Sequence, residues 1–163
     1  MKNNIYWLIL PLIFGINLNC NSSDKAETKK TSPSPITYIN HTDDDFDSVK
    51  ESIEMAIEDQ GLIVSGILHI SEMLNRTGKD LGFEPIYKKA EGIEFCSSKV
   101  SHLMAQVDPS NITMCPFTVV IYQLTKEPSK TYLSFRHVTL RGDGKDVEKK
   151  ITTLLQTIVD EAL

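Results

Sequence analysis

A pair of cysteines with soft or titratable neighbours is the feature of this sequence that can do chemistry. Cys96 ends a short apolar run and precedes a predicted helix, and Cys115 precedes the most apolar run in the chain. His102, Met104 and Met114 lie between them. Thiolate, imidazole and thioether groups suit copper(I) or zinc, and thiolates also carry redox chemistry. The sequence therefore predicts one candidate redox or metal site, with copper or zinc as its candidate cofactor.

Three interpretations of the cysteine pair remain open. A disulfide between Cys96 and Cys115 would be natural in an oxidising compartment, and two reduced cysteines would serve as apolar packing. The third is a functional site, because Cys96 comes at or just before a helix N-terminus, which lowers a thiol pKa. The C-x-x-C spacing that would favour this third interpretation is absent. One helix and one turn connect the two strand ends, so we expect the cysteines to be spatial neighbours in every case.

The helix predicted between the cysteines determines where its side chains point. Val100, Leu103, Met104 and Val107 share one side when residues advance by about 100° each. Met104 is therefore expected to pack in the core. His102 falls on the opposite side, so it faces solvent, a site or a subunit contact.

Composition limits the classes of function. The chain has 163 residues, 40% of them hydrophobic, which suits one folded domain with a short extension. Its formal net charge is -5, so no basic surface for nucleic acid is expected. Outside the cysteine pair, no spacing typical of a nucleophile and its base occurs. These features favour a protein that is not an enzyme.

The first 20 residues are typical of an export signal. The apolar run 5–16 is shorter than the roughly 20 residues that span a membrane, and it fits the core of a signal peptide. With Cys20 behind it, the segment resembles a bacterial lipoprotein signal, in which the cysteine carries palmitate and becomes the new N-terminus. Asn19 stands where a small residue is usual, so ordinary secretion is the alternative. Asn21 is not the aspartate that retains such proteins at the inner membrane, which favours the outer membrane or the periplasmic face.

Two further segments complete the predicted organisation. Residues 21–35 are polar and rich in Ser, Thr, Lys and Pro, so they cannot bury enough apolar surface to fold and form a disordered tether. Residues 36–163 carry helical and strand periodicity and form a single domain. A lipid anchor followed by a tether would hold this domain near a membrane surface in the bacterial cell envelope.

The periodicity predicts the order strand–helix–strand–helix–strand–helix–strand–strand–helix. This order favours a two-layer α+β fold in which helices pack on a small, largely antiparallel sheet. The run Phe117–Tyr122 is apolar on both sides and predicts a central strand covered on both faces. We also expect Ser71 to cap the second helix, Gly66 to mark a bulge or a point of close approach, and Glu127–Ser129 to form a hairpin turn.

Two motifs, one following the other along the chain, resemble the domain-of-unknown-function family 302. The first comprises His69-Ile70-Ser71, Met73-Leu74 and Thr77-Gly78. The second comprises Glu94-Phe95-Cys96-Ser97, Ser101, Met104, Asp108-Pro109, Asn111-Ile112, Cys115-Pro116 and Val120-Ile121-Tyr122. The resemblance implies an α+β fold similar to the TATA-binding-protein-like arrangement and a homodimer, since members of the family often look dimeric. It implies no activity and no catalytic residue.

Two classes of function remain open from the sequence. The first is a lipid-anchored binding or interaction module without catalysis, whose small ligand is unknown and whose partner is the membrane. The second is a thiol-redox or soft-metal-handling protein that uses Cys96 and Cys115.

Overall fold

The computed structural model describes residues 36–163, and their elements follow the predicted order. The strands are β1 (Ile36–Thr42), β2 (Ile63–Leu68), β3 (Tyr87–Cys96), β4 (Phe117–Leu124) and β5 (Glu127–Arg136). The helices are α1 (Phe46–Asp59), α2 (Ile70–Gly78), α3 (Ser98–Val107) and α4 (Lys145–Glu161). Short 3₁₀ turns, Lys79–Leu81 and Pro109–Met114, follow α2 and α3. Within residues 36–163, no helix is both long and apolar enough to cross a membrane.

The strands form one five-stranded antiparallel sheet in the order β1-β5-β4-β3-β2. The predicted α+β class, with a small antiparallel sheet packed by helices, is therefore confirmed. A shift in the pairing of β2 with β3 lies between Val64 and Gly66, which confirms the predicted irregularity at this glycine. β4 is the central strand, as its apolar sequence predicts.

Helices α1, α3 and α4 cover one face of the sheet, here called the inner face. The strand residues buried on it are Ile93, Phe95, Phe117, Val119, Ile121, Leu133 and Phe135. The helices contribute, among others, Val49, Ile53 and Ile57 from α1, Val100 and Met104 from α3, and Ile151, Leu155 and Ile158 from α4. Each such side chain contributes on the order of 1.5–3 kcal/mol when it leaves water, so this layer holds the domain together.

The opposite face of the sheet, the outer face, is only half covered. Along β4, buried residues alternate with half-buried ones such as Thr118, Val120 and Tyr122. The expectation that both faces of Phe117–Tyr122 are covered is therefore wrong. Cross-strand neighbours shelter the outer residues instead, and β-branched and aromatic side chains suit such contacts.

Two local boundaries also differ from expectation. The turn between β4 and β5 consists of residues 125–126, because β5 already begins at Glu127 and includes Pro128. The N-cap of α2 is His69, whose side chain makes no capping hydrogen bond. Ser71 lies inside the first turn of that helix and is buried. Both differences arise because several polar residues lie near each element end. More than one of them could form the turn or precede the helix.

Candidate functional site

The end of strand β3 places Cys96 directly before a capped helix. Ser97 is the N-cap of α3, and its hydroxyl accepts a hydrogen bond from Val100 N at 3.4 Å. This bond satisfies one of the backbone amides that a helix start leaves without a partner. Cys96 is exposed at this position, near the positive end of the helix dipole. The local sequence thus predicts both the helix start and the placement of this sulfur.

A buried asparagine fixes the segment that carries the second cysteine. Asn111 is only 2% exposed, and its amide donates to Met104 O at 3.2 Å and Arg141 O at 3.1 Å. Its Oδ1 accepts from Arg141 N at 2.8 Å. The 3₁₀ turn is thereby tied to α3 and to the chain beyond β5. Cys115 follows this turn, and its peptide bond to Pro116 is cis.

The structure joins Cys96 and Cys115 in a disulfide. Their Cα atoms are 6.1 Å apart, which lies within the usual span of about 4.4–6.8 Å. The bond links the end of β3 to the residue two positions before β4, and these strands are paired. The prediction that the two cysteines are neighbours is confirmed. Of the three interpretations, the structure contains the oxidised pair.

A cavity lies against each cysteine of the disulfide. Cys96 lines one of about 400 Å³, together with His102 of α3. Cys115 lines another of about 310 Å³, together with Met114 and Arg136. The disulfide therefore joins two residues that each line a cavity. A thiol that exchanges with a disulfide requires open space beside it.

The remaining candidate residues do not converge on one point. Met104 is fully buried in the core, and this is the packing role that its helical position predicts. His102 is exposed, as its position opposite the apolar side predicts, but Met114 lines the other cavity. Within residues 36–163, no group of three or more His, Cys, Asp or Glu side chains is arranged to hold a metal ion. With both sulfurs in a disulfide, the described residues offer no ligand set for copper or zinc.

An apolar groove of about 610 Å³ lies at the other end of β3. It is lined by Leu74, which is 41% exposed, Leu81 at 66%, Phe83 at 69% and Ile86 at 67%. Tyr87, the first residue of β3, completes one wall. Single exposed apolar residues are ordinary on protein surfaces, but a contiguous set of this kind marks a contact site.

The position of helix α2 explains why this groove is open. β2 pairs with β3 only as far as Gly92, and α2 then contacts β3 beyond that point. His69 Nδ1 lies 3.3 Å from Glu91 Oε1, which holds the start of the helix against the strand. The only buried residue of α2 is Ser71. The apolar side of this helix therefore faces the groove and solvent instead of the core.

A row of aromatic rings crosses the outer face from β1 to β3. Its members are His41, Tyr132, Tyr122 and Tyr87, with ring centroids 5.5, 5.1 and 5.7 Å apart in turn. The Tyr132 hydroxyl donates to Glu127 Oε2 at 2.8 Å. This bond raises the pKa of Tyr132 and lowers the pKa of Glu127, while burial raises the pKa of Tyr122. The row is continuous with the groove through Tyr87, which belongs to both.

The sequence analysis missed the groove because it interpreted residues 82–85 only as a turn. The available signal was Phe83 and Ile86, two large apolar residues within a segment of turn-forming composition. It also missed two charged residues at the disulfide, Glu94 and Arg136, which line the cavity beside Cys115. These lie on β3 and β5, on either side of β4, so sequence separation conceals that both line one cavity.

Comparisons with known proteins agree with this architecture, which defines the chain as an α+β domain with one antiparallel sheet. The model of the family described as "Domain of unknown function DUF302" matches residues 38–161. The chain therefore belongs to the DUF302 family. Its structure is similar to the crystal structure of an uncharacterised conserved DUF302 protein from Bacillus stearothermophilus, with a TM-score of 0.64 and 16% identity. That match covers 77% of this chain and 97% of the other. No curated protein matches the chain.

Proposed function

We propose that this protein is a lipoprotein of the bacterial cell envelope whose DUF302 domain binds a small apolar ligand without catalysis. Lipid on Cys20 anchors the chain, residues 21–35 form the tether, and residues 36–163 form the binding domain. The apolar run 5–16 followed by a cysteine supports the anchor. The groove formed by α2, the following turn and Tyr87 is the binding site.

The observation that carries the binding role is the exposure of large apolar side chains in that one groove. Leu81, Phe83 and Ile86 are each about two-thirds exposed. Covering one such side chain contributes at most about 1.5–3 kcal/mol, so three can supply useful affinity. The volume of about 610 Å³ falls within the range of about 300–1,000 Å³ typical of small-molecule sites. A compact apolar ligand therefore fits better than a large protein surface.

The polar residues of the groove suit recognition rather than catalysis. Among residues 36–163, its lining includes Asn75, Lys79 and Glu84 but no histidine or cysteine. The hydroxyl of Thr77, which also lines it, already donates to Met73 O at 3.1 Å. The described lining residues therefore favour recognition of a ligand. Lys79 and Glu84 at its rim can instead orient a ligand that carries one polar group.

The groove is tested by titrating the full chain with N-phenyl-1-naphthylamine, a neutral apolar dye whose fluorescence rises on burial. Phe83→Ser and Ile86→Ser should each weaken the dye Kd by about tenfold, because each removes most of one apolar contact. Met55→Ser is the matched control, since Met55 is 52% exposed on α1 and does not line the groove. Equal weakening by the control would contradict the site. A dimer that forms with protein concentration and excludes the dye would show a second copy as the occupant.

The anchor is tested separately by intact-mass analysis of protein from the envelope. Processing at Cys20 should remove residues 1–19 and add the mass of the acyl chains. Cys20→Ala should remain unprocessed and unlipidated. Protein that retains Met1, or is cleaved elsewhere, would contradict the anchor and leave the binding groove unaffected.

A further inference from the structure

We propose that the Cys96–Cys115 disulfide exchanges with a small zwitterionic thiol, an amino-acid or peptide thiol that carries both a carboxylate and an ammonium group. The thiol enters the cavity beside Cys115. This redox site is separate from the apolar binding site, which lies at the opposite end of β3.

Access to the bond is the first support for this site. Cys96 is exposed, and Cys115 is half-buried against the core. The cavity of about 310 Å³ at Cys115 has room for an amino-acid-sized or small peptide thiol. A purely structural disulfide is usually enclosed, and accessible ones are the labile ones.

The charges of the cavity select the class of thiol. Glu94 and Arg136 line it from the two strands that flank β4, and His137 lies beside Arg136. Among residues 36–163, the Glu94 carboxylate and the Arg136 guanidinium form no ion pair. One cation and one anion at a single cavity complement a ligand that carries one of each. Arg136 would hold the carboxylate of the thiol and Glu94 its ammonium group.

Cys96 lies at the start of α3 and is therefore the better leaving group, so the attack falls on Cys115. The thiolate of the incoming compound attacks Cys115 Sγ, forms a mixed disulfide and breaks the bond to Cys96. The bonding electron pair goes to Cys96 Sγ, which leaves as a thiolate beside the N-terminus of α3. A thiolate is favoured there, and a better leaving thiolate departs faster. A second thiolate of the same compound then attacks the sulfur of the bound thiol. This step forms the disulfide of the compound and releases the Cys115 thiolate. Two thiols are thus oxidised to one disulfide while the protein disulfide is reduced to two thiols.

The test measures how fast four thiols reduce the folded full chain, with Cys20→Ser present throughout so that only the disulfide pair reacts. The panel is glutathione, which carries an ammonium group and two carboxylates, 3-mercaptopropionate with a carboxylate only, cysteamine with an ammonium only, and neutral 2-mercaptoethanol. Rates are compared per thiolate, corrected for thiol basicity. Glutathione should react about tenfold faster than 2-mercaptoethanol, and each singly charged thiol about threefold faster, since exposed ion pairs contribute modestly.

Charge variants assign this preference to the cavity. Arg136→Gln should lower the rates with glutathione and 3-mercaptopropionate by about threefold relative to the rate with 2-mercaptoethanol. Glu94→Gln should do the same for cysteamine. Arg76→Gln and Glu72→Gln are the controls, because both residues are exposed on α2 and neither lines the cavity. Circular dichroism checks that each variant is folded with its disulfide intact.

Acid quenching and peptide mapping locate the first mixed disulfide. Glutathione should be found on Cys115, and Cys96 should be a free thiol. Glutathione mainly on Cys96 would overturn the proposed direction of attack. Equal rates for all four thiols, or reduction only at the rate of global unfolding, would overturn the site and show a structural disulfide. None of these outcomes depends on the apolar groove.

Discussion

Strand β3 connects two regions that depart from ordinary packing in opposite ways. At its first residue, Tyr87, large apolar side chains lie exposed around a groove. Beyond its last residue, Cys96, a polar side chain lies buried with all its partners in place: Asn111 is 2% exposed and makes three hydrogen bonds. Exposed apolar groups and buried polar groups are both informative departures from ordinary packing. The first indicates a contact surface, and the second indicates a segment that must hold its shape.

The two helices beside these regions show the same contrast. Helix α3 has a capping serine and places Val100 and Met104 in the core. Helix α2 lacks a capping hydrogen bond, and Ser71 is its only buried residue. Elements with few buried apolar contacts open at lower free energy than the core. We therefore expect α2 and the groove to open locally while α3 and the disulfide region stay folded.

The largest expected effect comes from two methionines on these helices. Met104 is fully buried and Met73 is 48% exposed. Met104→Ala should lower the free energy of unfolding by about 2–5 kcal/mol because it leaves a cavity in the core. Met73→Ala should change it by less than about 0.5 kcal/mol. Urea unfolding followed by circular dichroism measures both, and equal losses would remove the contrast between the helices.

Removal of the disulfide should have the next largest effect. The bond closes a loop with a sequence separation of 19 residues. The double variant Cys96→Ser with Cys115→Ser should lose on the order of 3 kcal/mol of unfolding free energy. Binding of the naphthylamine dye should persist, since the groove lies at the other end of β3. Loss of dye binding in a variant that remains folded would show that the two regions are coupled.

Asparagines in the two regions give a third comparison. Asn111→Ala removes the side-chain partner of both the amide and the carbonyl of Arg141, while Met104 O keeps its bond from Asp108 N, and the change should cost about 1–3 kcal/mol. Asn75 lines the groove and is exposed, so Asn75→Ala should be nearly neutral. Thermal unfolding of the two variants side by side measures the difference. A small effect at Asn111 would mean that water replaces the lost amide.

The order of elements and the neighbouring cysteines could be predicted because their signals are local. Gly61 follows α1 with a φ of 71°, a conformation that favours glycine, so the helix end is evident from the sequence. Ser97 marks the start of α3 in the same way. Together they define the strands between the helices, and hence which strand ends carry the cysteines.

The groove could not be predicted because apolar spacing does not say what covers an apolar side. Met73 and Leu74 have the same helical spacing as a buried pair, but both stay exposed against the rest of residues 36–163. The outer face of β4 shows the reverse case, since a run that is apolar on both sides is helix-covered on only one. The proximity of Glu94 and Arg136 likewise depends on the sheet order, which periodicity alone does not determine.

The smallest expected effect depends on pH and concerns Glu148 of α4. Its carboxylate binds the chain beyond β5, next to the segment that Asn111 holds. Its Oε1 accepts from Leu140 N at 2.8 Å, and Lys145 Nζ lies 3.0 Å from its Oε2. Burial acts to raise the pKa of Glu148, but the Leu140 amide and Lys145 outweigh it and hold the pKa below its ordinary value of 4.5. The unfolded chain therefore takes up this proton first as the pH falls. The carboxylate stabilises the fold fully above about pH 4.5, and this contribution is lost as the pH falls through the lower, folded pKa.

Glu148→Gln keeps an acceptor for Leu140 but removes the charge. The variant should be less stable than the parent by about 1 kcal/mol near pH 7, and the two should converge near pH 3. Glu51→Gln, at an exposed position on α1, is the control and should leave the pH dependence unchanged. Urea unfolding across this pH range measures all three proteins. A difference between Glu148→Gln and the parent that stays constant down to low pH would show that Glu148 acts through packing and hydrogen bonding alone. Its charge would then not contribute to the free energy of unfolding.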